Sequence, residues 1–147
     1  MPKNPPEGMP RVTPYLFYAN VGAALNWLEK TFGFERGGEI PGPDGAIMHA
    51  EMKFKDGVVM MGPPCDERGT KSPSELSGIN QSLYIYVDNV DEHYRQTKDA
   101  GATNITEPMD MFWGDRMYTV QDLEGHHWSF AQHVKDIAPE DMKPSFS

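Results

Sequence analysis

Two stretches of this chain follow one pattern, and that repeat constrains the fold more than any other feature. In the first, a strand-like run over residues 12–18 leads to Asn20, a residue type that caps helix N-termini. Val21, Ala24, Leu25, Leu28 and Phe32 then recur at the spacing of one apolar helix face, and Gly33 stands where the helix should close. In the second, a β-rich run over 83–87 leads to Asn89, which with Glu92 fits a capping box. Val90, Tyr94 and Thr97 share a helix face there, and Gly101 closes it. Gly33 to Gly57 and Gly101 to Gly125 are both 24 residues, and each second glycine sits in an Asp-Gly or Glu-Gly turn between strand-like runs.

A strand, a helix and three further strands therefore occur twice, over 11–62 and 80–133, joined by a Pro-, Gly- and Ser-rich linker at 63–79. A sheet with one helix cannot cover both of its faces, so the halves should pair. The spacing predicts an α+β fold of two tandem βαβββ modules, an eight-stranded curved mixed sheet with a helix outside each half and a concave cleft inside. Residues 11–133 would be one domain, with 1–10 a disordered leader and 134–147 a C-terminal tail.

Charge and composition narrow the partners. The 147 residues carry 22 acidic against 13 basic side chains, a net charge of −9, which repels a phosphate backbone and argues against nucleic acid. No Lys/Arg run points to an anionic membrane, and no apolar run is long enough to span one. Cys65 is the only cysteine, so an intrachain disulfide and a cysteine-based zinc site are both excluded. The opening MPKNPPEGMP lacks the apolar core of a secretion signal, and the expected location is the cytoplasm.

The paired modules, with YANVGAALNWLEKTFGFE in the first and WGDRMYTVQDLEGHHW in the second, resemble the vicinal oxygen chelate superfamily, also called the glyoxalase/bleomycin resistance/dioxygenase fold. WGDR followed by an Asp-x-x-Gly-His-x-Trp turn (Asp122, Gly125, His126, Trp128) looks most like its PhnB-like branch. The resemblance covers residues 11–133 and implies the fold above. It leaves activity open among isomerases, lyases, dioxygenases, epimerases and drug-sequestering proteins. It also implies a homodimer, since such folds usually pair modules across chains. Metal-dependent members hold an ion with four His, Gln or Glu side chains on the first and last strands of each module. Those positions fall here on Thr13, Ser82, Ser129 and Met60 or Met61, none of which is the imidazole or carboxylate that a divalent ion prefers. No metal cofactor is therefore expected.

Strand alternation reads the two adjacent histidines of EGHHW. Trp128 and Phe130 share one side and should pack on a helix, which turns His127 and Ser129 toward the cleft. His126 would stay near the turn, bonding locally. Two neighbouring histidines on a strand point apart and cannot grip one ion together. The same alternation puts Tyr15 and Phe17 beside Thr13, Tyr84 and Tyr86 beside Ser82, and His49, Glu51 and Lys53 opposite the apolar Met48, Ala50, Met52 and Phe54. Trp113 and Tyr118 are wall or packing aromatics, and Arg116 either clamps an anionic ligand group or pairs with Asp115 or Glu107. His93, among charged helix neighbours, is expected to face solvent. Cys65, with no histidine close in sequence, is not read as a nucleophile.

The expected ligand site thus comprises Tyr15, Phe17, His49, Glu51, Ser82, Tyr84, Tyr86, Trp113, Arg116, Tyr118, His127 and Ser129. Aromatic walls with few polar groups suit a small aromatic or cationic organic molecule, bound without the superfamily's metal. Two alternatives stay open at this point. One is a metal-dependent lyase or dioxygenase-like enzyme in which His49, Glu51 and His127 regroup around a divalent ion. The other is a metal-free enzyme with His127 or Glu51 as base and Arg116 steadying an oxyanion.

Overall fold

The computed structural model describes residues 1–144, so the last three residues of the expected tail, 145–147, lie outside the described residues. The chain divides into two compact units, Met1–Gly78 with Leu123–Gly125, and Ile79–Asp122 with His126–Ser147. Each holds one helix and four strands connected in the same order, so the repeat read from the sequence is the organising feature of this α+β fold.

In the first unit the elements are β1 (Tyr15–Phe17), α1 (Val21–Phe32), β2 (Glu35–Pro41), β3 (Ile47–Phe54) and β4 (Gly57–Gly62). The sheet runs β1-β4-β3-β2, with β1 parallel to β4 and the other pairs antiparallel. β1 is shorter than the run 12–18 because Pro14 has no N–H to give to a ladder; only its carbonyl pairs, accepting from Met60 N at 3.0 Å or less (2.9 Å). α1 starts as expected: the Asn20 side chain accepts from Ala23 N at 3.0 Å. It ends at Gly33, whose φ of 77° lets its N–H turn back onto the Glu29 carbonyl. The apolar stripe Val21, Ala24, Leu25, Leu28 and Phe32 is buried throughout. Glu124, in the segment 123–125, closes the entry to this helix by accepting from Ala19 N (2.7 Å), Asn20 N (3.0 Å) and the buried Ser72 hydroxyl.

In the second unit β5 (Ser82–Tyr86), α2 (Val90–Asp99), β6 (Met109–Asp110), β7 (Asp115–Gln121) and β8 (His127–His133) form a sheet ordered β5-β8-β7-β6. Asn89 caps α2 by accepting from Glu92 N at 3.1 Å. The core is aromatic: Trp128, Phe130 and Tyr118 are essentially fully buried, with Tyr118 and Phe130 stacked at 5.6 Å. The helix brings His93 and Thr97 onto Tyr118, whose hydroxyl lies 2.6 Å from His93 Nδ1 and 2.9 Å from Thr97 Oγ1. His93 is thus buried rather than solvent-facing. It stands three residues after Val90 on the packed face, where a polar ring is accommodated because the Tyr118 hydroxyl meets its edge and the Phe130 ring lies against it, with 4.2 Å between the His93 and Phe130 ring centres. Burial raises the Tyr118 hydroxyl well above the ordinary phenol range.

The two Gly-containing turns are not conformational twins. Gly125 has φ of 97°, as a left-handed turn position demands, but in the first unit the left-handed residue is Lys55, and Gly57 already begins β4. No helix among the described residues is long and apolar enough to cross a membrane.

Candidate functional site

The Asp-x-x-Gly-His-x-Trp segment proves to be a hairpin lock. Asp122 Oδ1 accepts from His126 N (3.0 Å) and Oδ2 from the Trp128 indole N–H (3.0 Å), while Asp122 N donates to the His126 carbonyl (2.9 Å). One buried carboxylate therefore sets both the turn and the rotamer of the largest core side chain. His126 is buried at this turn, and His127 lies on the opposite face of β8 from Trp128. Their divergence is the one expected of strand neighbours.

The packed face of the second sheet carries Arg116, Tyr118 and Val120 from β7, and the other face carries Asp115, Met117 and Thr119. Arg116 Nε reaches Asp91 of α2 at 3.2–3.3 Å, and its other nitrogens reach Asp91 (3.1 Å) and Asp110 (3.2 Å). Those two carboxylates raise the Arg116 pKa further. The partners proposed from sequence, Asp115 and Glu107, are not the ones used: alternation points Asp115 away from Arg116, and α2 and β6 bring Asp91 and Asp110 to it. Tyr118 lies on the same packed face, so neither Arg116 nor Tyr118 joins the open-face residues.

On that open face the side chains gather around Asp115. Its carboxylate, in a residue only 2% exposed, accepts on Oδ2 from the hydroxyls of Tyr84 (2.7 Å) and Tyr86 (2.9 Å) and from the Trp113 indole N–H (3.2 Å). Its Oδ1 lies 2.8 Å from His133 Nδ1, and His133 Nε2 lies 2.7 Å from Asp136. Trp113 also donates to the Tyr84 hydroxyl at 3.1 Å. Burial alone would raise the Asp115 carboxyl, but the hydrogen bonds from Tyr84, His133, Tyr86 and Trp113 outweigh it and hold the group below the usual carboxylate range. Burial, then the bond to Asp115, pushes Tyr84 up to about 12, and the separate bond that Tyr86 gives to Asp115 raises Tyr86. Asp136 and then Asp115 raise His133, favouring an imidazolium between two carboxylates.

The rings so fixed remain open to solvent. Tyr84 is 43% and Tyr86 57% exposed, in an edge-to-face pair at 5.6 Å, and the exposed Phe112 makes a second such pair with Trp113 at 4.9 Å. Ser82 and Ser129 share this face, with Ser82 paired to His127 and Tyr84 to Ser129 across β5 and β8. Asp115 and His133 were absent from the set read from sequence. Alternation along DRMYTVQ, anchored on the buried Tyr118, would have placed Asp115 beside the tyrosines.

In the first unit Tyr15, His49 and Glu51 come together. The Tyr15 hydroxyl lies 3.0 Å from His49 Nδ1, and His49 Nε2 lies 3.4 Å from Glu51. Both imidazole nitrogens are thus engaged, which leaves neither directed at an ion. Tyr15 and Phe17, 5.4 Å apart, line a cavity of about 440 Å³ with Met48, Cys65 and Arg68. Gly62 makes room for this arrangement, since a Cβ there would come within 2.7 Å of the Tyr15 hydroxyl. Of the two methionines aligned with the superfamily's metal position, Met60 pairs with Tyr15 and Glu51 on the open side, whereas Met61 is buried in the core. The position therefore offers a thioether, and the other positions expected from sequence, Thr13, Ser82 and Ser129, each offer a hydroxyl; neither donor type is one that a divalent cation favours. Among the described residues no three His, Cys, Asp or Glu side chains converge as a metal-binding group.

Comparison with known proteins agrees with this architecture. The family model described as the Glyoxalase/Bleomycin resistance protein/Dioxygenase superfamily matches residues 8–130. An uncharacterized protein of Mycobacterium tuberculosis is 32% identical over 141 residues, covering 94% of this chain and 83% of the relative. The crystal structure of TioX from Micromonospora sp. ML1 superposes with a TM-score of 0.69 at 31% identity, covering 86% of this chain and 100% of TioX. A bleomycin-binding protein solved in complex with bleomycin has the same fold, with a TM-score of 0.63 at 18% identity over 84% of this chain and 98% of that one. The chain is a member of the glyoxalase/bleomycin resistance protein/dioxygenase superfamily.

Proposed function

We propose that the protein binds a small planar aromatic organic molecule, preferably cationic, on the open face of its second sheet and without a metal ion. The supporting observation is the Asp115 cluster. A buried carboxylate collects the hydroxyls of Tyr84 and Tyr86 and the indole N–H of Trp113, so the rings are held in place before a ligand arrives. A phenol that donates to a carboxylate has a more electron-rich ring, which strengthens its attraction for a cation. Each ring–cation contact contributes about 0.5–2 kcal/mol, the upper end when water is excluded. The net charge of −9 adds long-range attraction for the same guests. The bleomycin-binding protein offers a precedent for the fold holding an organic ligand.

Enzyme readings have less support, because Arg116 is already paired with two carboxylates and both His49 nitrogens are engaged. Homodimerisation and a cytoplasmic location belong to the proposal, the latter in keeping with the free Cys65. So does the PhnB-like assignment, carried by the motif residues of the sequence. The test is a thermal-shift screen of aromatic cations, anions and neutral analogues, with Ni²⁺, Zn²⁺ and Mn²⁺ titrated separately by calorimetry. Stabilisation by cations that disappears in Tyr84→Ala supports the reading. Stoichiometric metal binding lost in Glu51→Ala or His127→Ala overturns it.

A further inference from the structure

A cavity in the first unit differs in charge from the ring cluster of the second. The cavity of about 440 Å³ has Tyr15, Phe17, Met48 and two prolines as its apolar wall, and Arg68 is the only charged residue lining it. Two other cavities in this unit are lined by Asp44 and by Asp56, whereas no carboxylate lines this one among the described residues. Arg68 is exposed and makes no ion pair among the described residues, although most of the chain's charge is acidic. The loop that carries it is held in place: Thr70 Oγ1 accepts from Cys65 N at 2.7 Å, and Arg68 N and Thr70 N both donate to the Cys65 carbonyl at 3.1 Å. A guanidinium on a fixed loop, facing an apolar wall with one phenol hydroxyl, is the composition of a site for an organic acid.

We infer that this cavity binds a planar organic carboxylate, its acid group on Arg68 and Tyr15 and its body against Phe17 and Met48. The volume lies within the range of small-molecule pockets. The inference goes beyond the reading proposed above, which concerns other residues and the opposite ligand charge.

Cys65 at the same cavity provides the readout. The Arg68 main-chain N–H, then the Arg68 guanidinium, hold its thiol below the ordinary range, which favours the thiolate form that attacks disulfide reagents. Two aromatic disulfides probe it, the dianionic dithiobis(nitrobenzoate) and the neutral dithiodipyridine. In each reaction the Cys65 sulfur attacks one reagent sulfur, the reagent S–S bond breaks, a protein–aryl disulfide forms, and an aryl thiolate leaves. Cys65 is oxidised, the reagent is reduced, and the thiol proton goes to solvent. Arg68→Gln changes the thiolate fraction for both reagents alike, so the ratio of their rates isolates recognition of the negative charge.

At physiological salt the ratio of dianionic to neutral rate should fall about tenfold in Arg68→Gln, the worth of one charge-assisted contact, and recover in part in Arg68→Lys. Naphthoate should slow the dithiodipyridine reaction of the full chain, and naphthylmethylammonium should not. Protection by naphthoate should persist in Tyr84→Ala, which separates this site from the ring cluster. A ratio unchanged within about twofold, the level expected from altered net charge alone, overturns the inference. No protection at millimolar naphthoate, or equal protection by the ammonium compound, overturns it as well.

Discussion

Replacing Asp115 with Asn tests the organisation of the ring cluster at its centre. The side chain keeps its shape but loses its charge and one acceptor. In the native chain Oδ2 takes three donors and Oδ1 faces His133, which lies between Asp115 and Asp136. An amide can still present its oxygen to Tyr84, Tyr86 and Trp113, and its NH₂ then faces His133 Nδ1, which must give up its proton to accept. Four charge-assisted contacts become neutral ones, each weaker by roughly half. The tyrosine hydroxyls can reach water, so the net loss is about 1–3 kcal/mol rather than the sum of four bonds. Urea unfolding should show a lower midpoint with an unchanged slope. The Tyr84 titration should fall from about 12 toward the ordinary phenol value, and His133 should titrate lower by NMR. An Asn variant with native stability and unshifted Tyr84 and His133 titrations would refute the claim that Asp115 organises these rings.

Three further outcomes follow from the same contacts. Asp122→Ala removes the acceptor of both His126 N and the Trp128 indole and should cost about 2–4 kcal/mol in denaturant unfolding, with a changed tryptophan emission spectrum. His133, whose folded pKa is raised, contributes stability in full below its unfolded value, near the ordinary 6.5, and loses it as pH rises through the folded pKa. His133→Gln should therefore flatten the stability profile on the alkaline side of 6.5 and nowhere else, as read by unfolding midpoints against pH. Gly62→Ala drives a methyl toward the Tyr15 hydroxyl and the Met48 carbonyl (2.7 and 2.9 Å from the new Cβ). It should cost about 1–3 kcal/mol and, by NMR, separate Tyr15 from His49.

The fold was legible because each module states its period twice. The stripe from Val21 to Phe32 and the Asn caps at 20 and 89 are local signals, and they survive into the structure unchanged, whereas of the matched glycines 57 and 125 only Gly125 takes the left-handed turn position. The open faces of β1, β5 and β8 were legible too, because a period of two assigns them once one buried residue is known. On β3 the alternation holds from His49 onward, but Met48, expected on the packed face, sits at a shift in the β2–β3 register and is half exposed beside Tyr15 and Phe17. What alternation could not supply was the partner of a polar side chain. Arg116 met Asp91 and Asp110 instead of its sequence neighbours, and His93 found Tyr118, because α2 packs across β7 in a way no local pattern records. The same blindness hid the Asp115–His133 pair, whose members are brought together by antiparallel pairing of β7 and β8.

The most direct test of the central claim is calorimetric titration of chelator-treated protein with ethidium, a planar aromatic cation, in parallel with Asp115→Asn and Tyr84→Ala. Metal-free binding near 10 µM, about 7 kcal/mol, that weakens at least tenfold in both variants is the expected result. Absence of binding to the chelator-treated protein, with binding restored by added Ni²⁺, Zn²⁺ or Mn²⁺, would contradict it.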